Sequence, residues 1–142
     1  MNTLQGRLNR YGLAAVICMV LASSLWAAGP ANGPTVALKE GGAITTTKLP
    51  SGDLTTQADS YLAQVTQQFS RNGECSRLNL AQGSQADFTV QYFAAFLLDQ
   101  KFIHFVVANS KGKILANQTD HSIPEFVTDA CHAIKENISG RH

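Results

Sequence analysis

The first 28 residues constrain the fold of this chain more than any other feature of its sequence. Arg7 and Arg10 precede a run of small and apolar residues, Leu13 to Ala28, after which the composition turns polar. This layout is typical of a secretory signal peptide. The run has about 16 residues, whereas a transmembrane helix needs roughly 20. We therefore predict a signal peptide over residues 1–28, cleaved near Ala27–Ala28, and an exported, periplasmic or secreted protein that meets the membrane only during export. An uncleaved N-terminal anchor is the alternative.

The chain that follows the leader is small and nearly neutral. Removal of Arg7 and Arg10 leaves nine basic residues against 10 acidic ones, so the formal charge changes from +1 to about −1. Such a balance, without runs of like charge, gives no support for nucleic-acid binding. About 114 residues remain, which is enough for one domain with a sheet and a couple of helices.

Two cysteines, Cys75 and Cys131, lie beyond the leader. Export to an oxidising compartment favours a disulfide between them. Such a bridge closes a loop of about 57 residues, which is worth on the order of 4 kcal/mol in the chain-entropy model. A structural bridge is favoured over a free thiol pair and over a catalytic cysteine.

The first half of the mature chain contains one predicted helix. Residues 29–50 are rich in Gly, Pro and Thr and are predicted to be a loose N-terminal segment, in which 35–38 allow one short strand. Residues 51–142 are predicted to form a single α+β domain. Asp53 is a credible helix N-cap and Asn72 with Gly73 a credible stop. Between them, apolar residues recur at helical spacing: Leu54, Ala58, Tyr61, Leu62, Val65 and Phe69.

A strand-rich block follows this helix. Residues 75–80 allow a short strand, and residues 88–98 alternate as a long strand with Phe88, Val90 and Tyr92 on one face. The other face of that strand begins polar and becomes apolar at its end. We interpret this apolar half as a candidate partner-binding patch, formed by Phe93, Ala95 and Leu97. Residues 102–108 and 114–117 complete a meander with a hairpin turn between them.

The last predicted element is the most clearly marked. Ser122 and Glu125 stand at capping-box spacing, Pro124 falls in the first turn, and Gly140 ends the helix. The fold class predicted from these elements is α+β. Two amphipathic helices, both on one face, pack on a mostly antiparallel sheet of three to four strands, in the order helix, strands, helix.

Candidate catalytic and metal-binding residues are few. His104 alternates with apolar neighbours on a strand, where a half-buried histidine bonded to a neighbour is the usual outcome. His132 is next to Cys131 in sequence, but adjacent helix positions point in different directions. Asp120, His121 and His132 lack the paired spacing of a zinc site. We predict no cofactor and no metal site. A small secreted enzyme, or a metal- or thiol-dependent protein that uses Cys131 with His104 or His132, is the alternative.

Residues 86–116 resemble the central part of small bacterial envelope domains. The shared features are Ala86–Val90, a strand, a tight turn, a second strand ending at Val106-Val107, and the segment Asn109–Leu115. The domains are those of the curli-secretion lipoprotein, the lipoprotein activator of penicillin-binding proteins, and the N-terminal domain of the Tol-system propeller protein. The resemblance implies a non-enzymatic role in assembling or regulating an envelope complex.

These observations favour an exported, non-enzymatic binding or accessory protein with a protein partner. The apolar half-strand and the absence of a catalytic motif carry this interpretation. A secreted effector or inhibitor, which differs only in its destination, is a further alternative.

Overall fold

A computed structural model describes residues 33–81 and 85–140 of the chain. The predicted signal peptide, with Arg7, Arg10 and the cleavage position, lies outside the described residues. Within them the chain forms six strands and two α-helices, together with a short 3-10 helix, Gly73–Cys75. The elements in chain order are β1 (Thr35–Lys48), β2 (Leu54–Ala58), α1 (Leu62–Arg71), β3 (Asn79–Leu80), β4 (Phe88–Phe96), β5 (Lys101–Asn109), β6 (Ile114–Asp120) and α2 (Ile123–Ser139).

The described strands form one mixed sheet. Its order is β2-β1-β4-β5-β6, and the short strand β3 pairs with the start of β1. The strands β4, β5 and β6 form the predicted antiparallel meander. In contrast, β1 runs parallel to β4, from Val36 opposite Phe88 to Thr45 opposite Phe96, with a register shift between Glu40 and Gly42. The chain therefore crosses from β1 to β4 through α1, as parallel neighbours require.

The predicted fold class is wrong in its strand count, pairing and order. The sheet has six strands rather than three to four, it is mixed rather than mostly antiparallel, and two strands precede the first helix. The largest difference is β1, which occupies most of the 29–50 segment expected to be loose. Its glycines and threonines give no clear alternation of apolar residues, and its strand conformation is set by pairing with β4, about fifty residues further along the chain.

The first helix is shorter than predicted. Residues 54–58 form β2, which pairs antiparallel with β1 from Ile44 opposite Ala58 to Lys48 opposite Leu54. The β-branched pair Thr55-Thr56 favours a strand in this segment. The helix begins only after Tyr61, and it ends at Arg71 before the predicted stop at Asn72.

Glu40 positions the start of α1. Tyr61 supplies no side-chain cap to its own helix. Instead, a carboxylate oxygen of Glu40 accepts hydrogen bonds from the Tyr61 backbone N–H and from the buried Tyr92 hydroxyl, each at 2.9 Å. Burial raises the pKa of Tyr92, and the hydrogen bond and charge of Glu40 raise it further, so the hydroxyl stays protonated and donates. A single carboxylate thus connects β1, α1 and β4.

The prediction for the second helix is confirmed. The Ser122 hydroxyl accepts a hydrogen bond from the Glu125 N–H at 3.3 Å, proline occupies the first turn, and Gly140 is the C-cap. Both helices pack on the same face of the sheet, as predicted, and the core lies between them and that face. The largest fully buried side chains there are Tyr92, Phe105, Phe126, Ile103 and Ile134. Among the residues that the structure describes, no helix has the length and apolar character needed to cross a membrane.

Candidate functional site

The face of the sheet opposite the helices carries a second apolar cluster. Strand register places Ala95 between Ile44 on β1 and Phe102 on β5, and Phe93 between Gly42 and His104. We call this side of the sheet the open face, because the helices pack on its other side and no element within residues 33–81 and 85–140 covers it. A sheet face with clustered aromatic and aliphatic side chains is typical of a surface that binds another molecule.

Phe93 is the most prominent side chain of the cluster. It is 38% exposed. Its ring lies over Gly42, where a Cβ atom would come within 3.2 Å of the ring, so the glycine makes room for it. The ring centroids of Phe93 and Phe102 are 6.5 Å apart at an interplanar angle of 37°, a tilted arrangement within the favourable range for aromatic pairs.

The three residues of the predicted patch have different environments. Phe93 is exposed, Leu97 is half-buried, and Ala95 is fully buried with 0% exposure. Ala95 therefore forms the floor of the cluster rather than its surface. Two members that were not assigned to the patch are Ile44 and Phe102. The alternation of residues 102–108 indicated the face of Phe102, whereas Ile44 lies on β1, which was not predicted at this position.

Polar side chains border the cluster along the sheet. Lys39 lies opposite Gln91, and His104 lies opposite Thr119. His104 is exposed rather than half-buried, because its strand turns this side chain to the open face. Its Nδ1 atom is 3.0 Å from the Thr119 hydroxyl, so the expected bond to a neighbour is present. The apolar cluster with a polar border matches the general anatomy of a protein-binding surface.

The predicted disulfide between Cys75 and Cys131 is confirmed. It joins the 3-10 helix to α2, and both cysteines are buried. The structure does not bring Cys131 together with either histidine. His104 is on the open face, and His132 lies on the exposed side of α2, with Nε2 3.2 Å from Glu136 and Nδ1 3.9 Å from Glu74. A buried disulfide is typical of proteins that fold in an oxidising, extracytoplasmic compartment.

Asp120 stands out electrostatically at the end of β6. One of its carboxylate oxygens is buried and has no hydrogen-bond partner among the described residues. Desolvation raises the pKa of Asp120, the charges of Asp129 and Glu125 raise it further, and His121 opposes them. The described part of the chain holds no group of three or more His, Cys, Asp or Glu side chains placed to bind a metal ion.

A shallow polar groove of about 450 Å³ lies between the two helices at the end of the sheet. Glutamines of α1 form one wall, and Lys101 and His121 lie on the other side. His121 Nδ1 is 3.0 Å from the carbonyl oxygen of Lys101, so the imidazole is held against the start of β5. This arrangement lacks the buried apolar lining of small-molecule sites.

Comparisons with known proteins identify no family for this chain. No family model matches its sequence, and no curated protein matches it. Among solved structures, TolB from Acinetobacter baumannii aligns at 14% identity and a TM-score of 0.46, covering 80% of this chain and 30% of that one. Protein XCC0632 from Xanthomonas campestris aligns at 10% identity and a TM-score of 0.43, covering 80% and 86%. A third, uncharacterised protein aligns at a TM-score of 0.37.

The chain therefore spans only 30% of the length of the TolB structure that it matches. TolB belongs to one of the protein types named in the sequence analysis, but all three TM-scores are below 0.5. Similarities at this level carry no conclusion about the function of this protein.

Proposed function

We propose that this protein is an exported, non-enzymatic binding or accessory protein of the bacterial envelope, and that it docks a protein partner on the open face. The observation that carries the proposal is the one-sided sheet. Both helices cover one face, whereas the other presents Phe93 beside Phe102 and Ile44, bordered by polar side chains. Buried Ala95 lies between larger neighbours on this face. The face offers surface area to a protein partner rather than an enclosed pocket to a small molecule.

Export is supported by two independent features. The leader over residues 1–28 has the composition of a signal peptide. The buried Cys75–Cys131 disulfide needs an oxidising compartment to form and persist. The intact mass of the protein recovered from the envelope of its host tests this part. We expect a chain that begins near Ala27–Ala28 and gains no mass on treatment with an alkylating agent. A chain with its leader intact, or with two alkylated thiols, would contradict export by cleavage or the bridge.

Site-specific photo-crosslinking in host cells tests the docking surface. A photoreactive residue at Gln91, which is exposed on the open face, is compared with one at Ala63, which is exposed on α1. We expect a protein adduct of discrete mass from Gln91 and none from Ala63, and we expect the captured protein, once purified, to bind this chain directly. Adducts of equal yield from both positions would contradict the proposal.

A pair of matched variants makes the crosslinking specific. Phe93 is 38% exposed on the open face and Leu62 is 40% exposed on α1. Phe93→Ser is expected to abolish the Gln91 adduct, whereas Leu62→Ser is expected to leave it intact, because both remove similar exposed apolar area but only the first removes it from the open face. If the adduct survives Phe93→Ser in a folded protein, the open face is not the docking surface.

The identity of the captured protein separates two destinations. A component of the host's own envelope supports the accessory role implied by the resemblance in residues 86–116. A protein of another organism, captured when the two are mixed, supports the effector or inhibitor alternative instead.

A further inference from the structure

At the β2 edge of the sheet, several backbone groups have no hydrogen-bond partner among the described residues. The Asp59 N–H donates to the Ala43 carbonyl at 2.9 Å, and the Leu49 N–H donates to the Asp53 carbonyl at 2.8 Å. Hydrogen-bonded and non-bonded pairs alternate along an antiparallel ladder. Odd-numbered residues of β2 therefore bond to β1, and the N–H and C=O groups of Leu54, Thr56 and Ala58 point away from it. No hydrogen bond from the described residues reaches these six groups.

Within residues 33–81 and 85–140, this edge lacks the devices that normally prevent strand addition. Native edge strands carry lysine, proline, a bulge or a covering element. The segment Leu54–Ala58 contains no charge and no proline, it pairs with β1 in an unbroken register, and four of its five residues are exposed. The opposite edge differs. Strand β6 has a register shift opposite Val107 and Ala108, and its Gln118 side chain donates to Asp129 of α2 at 2.7 Å.

Two acidic residues stand at the ends of β2. Asp53 precedes the strand, and Asp59 follows it. Asp53 accepts a hydrogen bond from Ser51, and Asp59 accepts hydrogen bonds from Thr45 and Ser60, but neither is in an ion pair within the described residues. The two ends of β2 thus carry negative charges six positions apart, and the residues between them have no charged side chain.

The charges argue against a second copy of this chain as the added strand. An antiparallel pair of β2 strands centred on Thr56 would place Asp53 of each copy directly opposite Asp59 of the other. Like charges at opposite positions destabilise strand pairing. A strand with a basic residue at each end would instead place each positive charge opposite one aspartate, which stabilises strand pairing.

The side chains of β2 also define the middle of the added strand. Leu54, Thr56 and Ala58 lie on the open face, where Ala58 is opposite Ile44 and the Thr56 hydroxyl is 2.7 Å from that of Thr46. Alternate residues of an added strand would lie beside them on the same face. Apolar side chains at those positions would extend the cluster around Phe93 and Phe102.

We propose that β2 accepts an extended segment of the protein partner as an additional antiparallel strand. The segment carries lysine or arginine at two positions six residues apart, and apolar residues at alternate positions between them. Main-chain hydrogen bonds to Leu54, Thr56 and Ala58 hold it, and the terminal charges select it and set its register, as in other cases of strand addition. This inference rests on the proposed function, because it describes how the partner of the open face is held at the edge of that face.

A synthetic peptide of defined sequence tests the proposal with the full chain. The probe is Ser-Lys-Val-Thr-Val-Thr-Val-Lys-Ser with a fluorescent label, and binding is followed by fluorescence anisotropy. The same peptide with glutamate in place of both lysines is expected to bind about tenfold more weakly, and the difference is expected to shrink at high salt, because exposed charge pairs are weak and screened. Equal binding of the two peptides would overturn the charge selection.

Backbone methylation tests the hydrogen bonds themselves. N-methylation of the middle valine removes a donor that faces Thr56, whereas N-methylation of the following threonine modifies a group that points away from β2. The first peptide is expected to bind at least tenfold more weakly than the parent, and the second about as well as it. Equal effects of the two methyl groups would overturn strand addition.

Variants of the protein complete the comparison. Thr56→Pro removes an N–H that makes no bond to β1, and Thr56→Val keeps it. We expect the first to lose peptide binding and the second to retain it, with folding of both checked by circular dichroism. If Thr56→Pro does not fold, the methylated peptides decide the question. In the Asp53→Lys variant, we expect the preference at this end to reverse. This variant should bind more tightly to a peptide in which the second lysine, which faces residue 53, is replaced by glutamate.

The crosslinking experiment separates the failure of this inference from that of the proposed function. An adduct from Gln91 that needs Phe93 but is unchanged in folded Thr56→Pro leaves the docking surface standing and overturns strand addition. Peptide binding that depends on Thr56, with no Phe93-dependent adduct, supports the edge site and overturns the docking role of the open face.

Discussion

At the scale of single residues, two carboxylates have opposite effects on the fold. One carboxylate oxygen of Glu40 accepts two hydrogen bonds, from the Tyr61 N–H and from the Tyr92 hydroxyl. In contrast, one buried carboxylate oxygen of Asp120 has no hydrogen-bond partner in the described part of the chain. A buried polar group stabilises a fold when it is bonded and costs free energy when it is not, so substitutions at the two positions are expected to act in opposite directions.

Replacement of Glu40 by alanine is expected to lower the free energy of unfolding by about 2 kcal/mol, because it leaves two donors unsatisfied, one of them on a fully buried tyrosine. Urea unfolding measures the change. Lys39→Ala, at the exposed neighbouring position, is the control and is expected to change stability by less than about 0.5 kcal/mol. Equal effects of the two substitutions would show that the Glu40 carboxylate does not stabilise the start of α1.

Asp120→Asn is expected to stabilise the protein in a pH-dependent way. Desolvation and the nearby Asp129 and Glu125 carboxylates raise the pKa of Asp120 in the folded protein. Its contribution to stability is therefore greatest below the unfolded-state pKa and is lost as the pH rises through the folded-state pKa. The variant cannot ionise, so its melting temperature is expected to exceed that of the wild type at pH 7 and to match it near pH 3. The exposed Asp99→Asn variant is the control, and a gain that persists at low pH would contradict the assignment.

At the scale of elements, the sequence predicts the helices and strands that local signals determine. It does not predict those that depend on pairing with a distant part of the chain. α2 was predicted almost to its ends, because Ser122, Pro124 and Gly140 are local signals. β2 was assigned to a helix, because the spacing of Leu54, Ala58 and Leu62 continues into α1 across a boundary that only pairing with β1 determines. For the same reason, the sequence predicts only part of the apolar cluster on the open face. Phe93 belongs to a strand with its own alternation, whereas Ile44 reaches the cluster through the long-range pairing of β1 with β4.

The N-cap of α2 provides a test of such local signals. Ser122→Ala is expected to cost about 1 kcal/mol of stability, because it removes the acceptor for the Glu125 N–H at the first turn. The midpoint of denaturant unfolding measures it, with Ser139→Ala at the exposed end of the same helix as the control. A cost no larger than that of the control would show that Pro124 and the packing of the helix define its start without the cap.

At the scale of the whole molecule, the disulfide holds the two halves of the chain together. Cys75 lies in the connection between β1 and β4, and Cys131 lies in the last helix, 56 residues further on. The bridge joins the crossover to α2 on the covered side of the sheet. The residues of the open face lie on the other side of the sheet and do not contact this disulfide. We therefore expect substitutions on the open face to affect binding more than folding.

The double variant Cys75→Ala with Cys131→Ala is expected to lose about 4 kcal/mol of stability, the value for closing a loop of this length. Denaturant unfolding of the variant and of the oxidised wild type measures the difference. Addition of a reducing agent is expected to bring the wild type close to the variant and to leave the variant unchanged. Equal midpoints for the oxidised wild type and the variant would show that the bridge has no structural role.

The parallel pairing of β1 with β4 also has a kinetic consequence. The Thr35 N–H bonds to the Asp87 carboxylate across 52 residues at 2.9 Å. During synthesis β1 can pair early with β2, but its parallel pairing with β4 has to wait until α1, β3 and β4 have all emerged. Chains dominated by such distant contacts fold slowly, on the scale of milliseconds to seconds. The meander β4–β5–β6 has only short connections, and we expect it to form first and to serve as the template on which β1 docks.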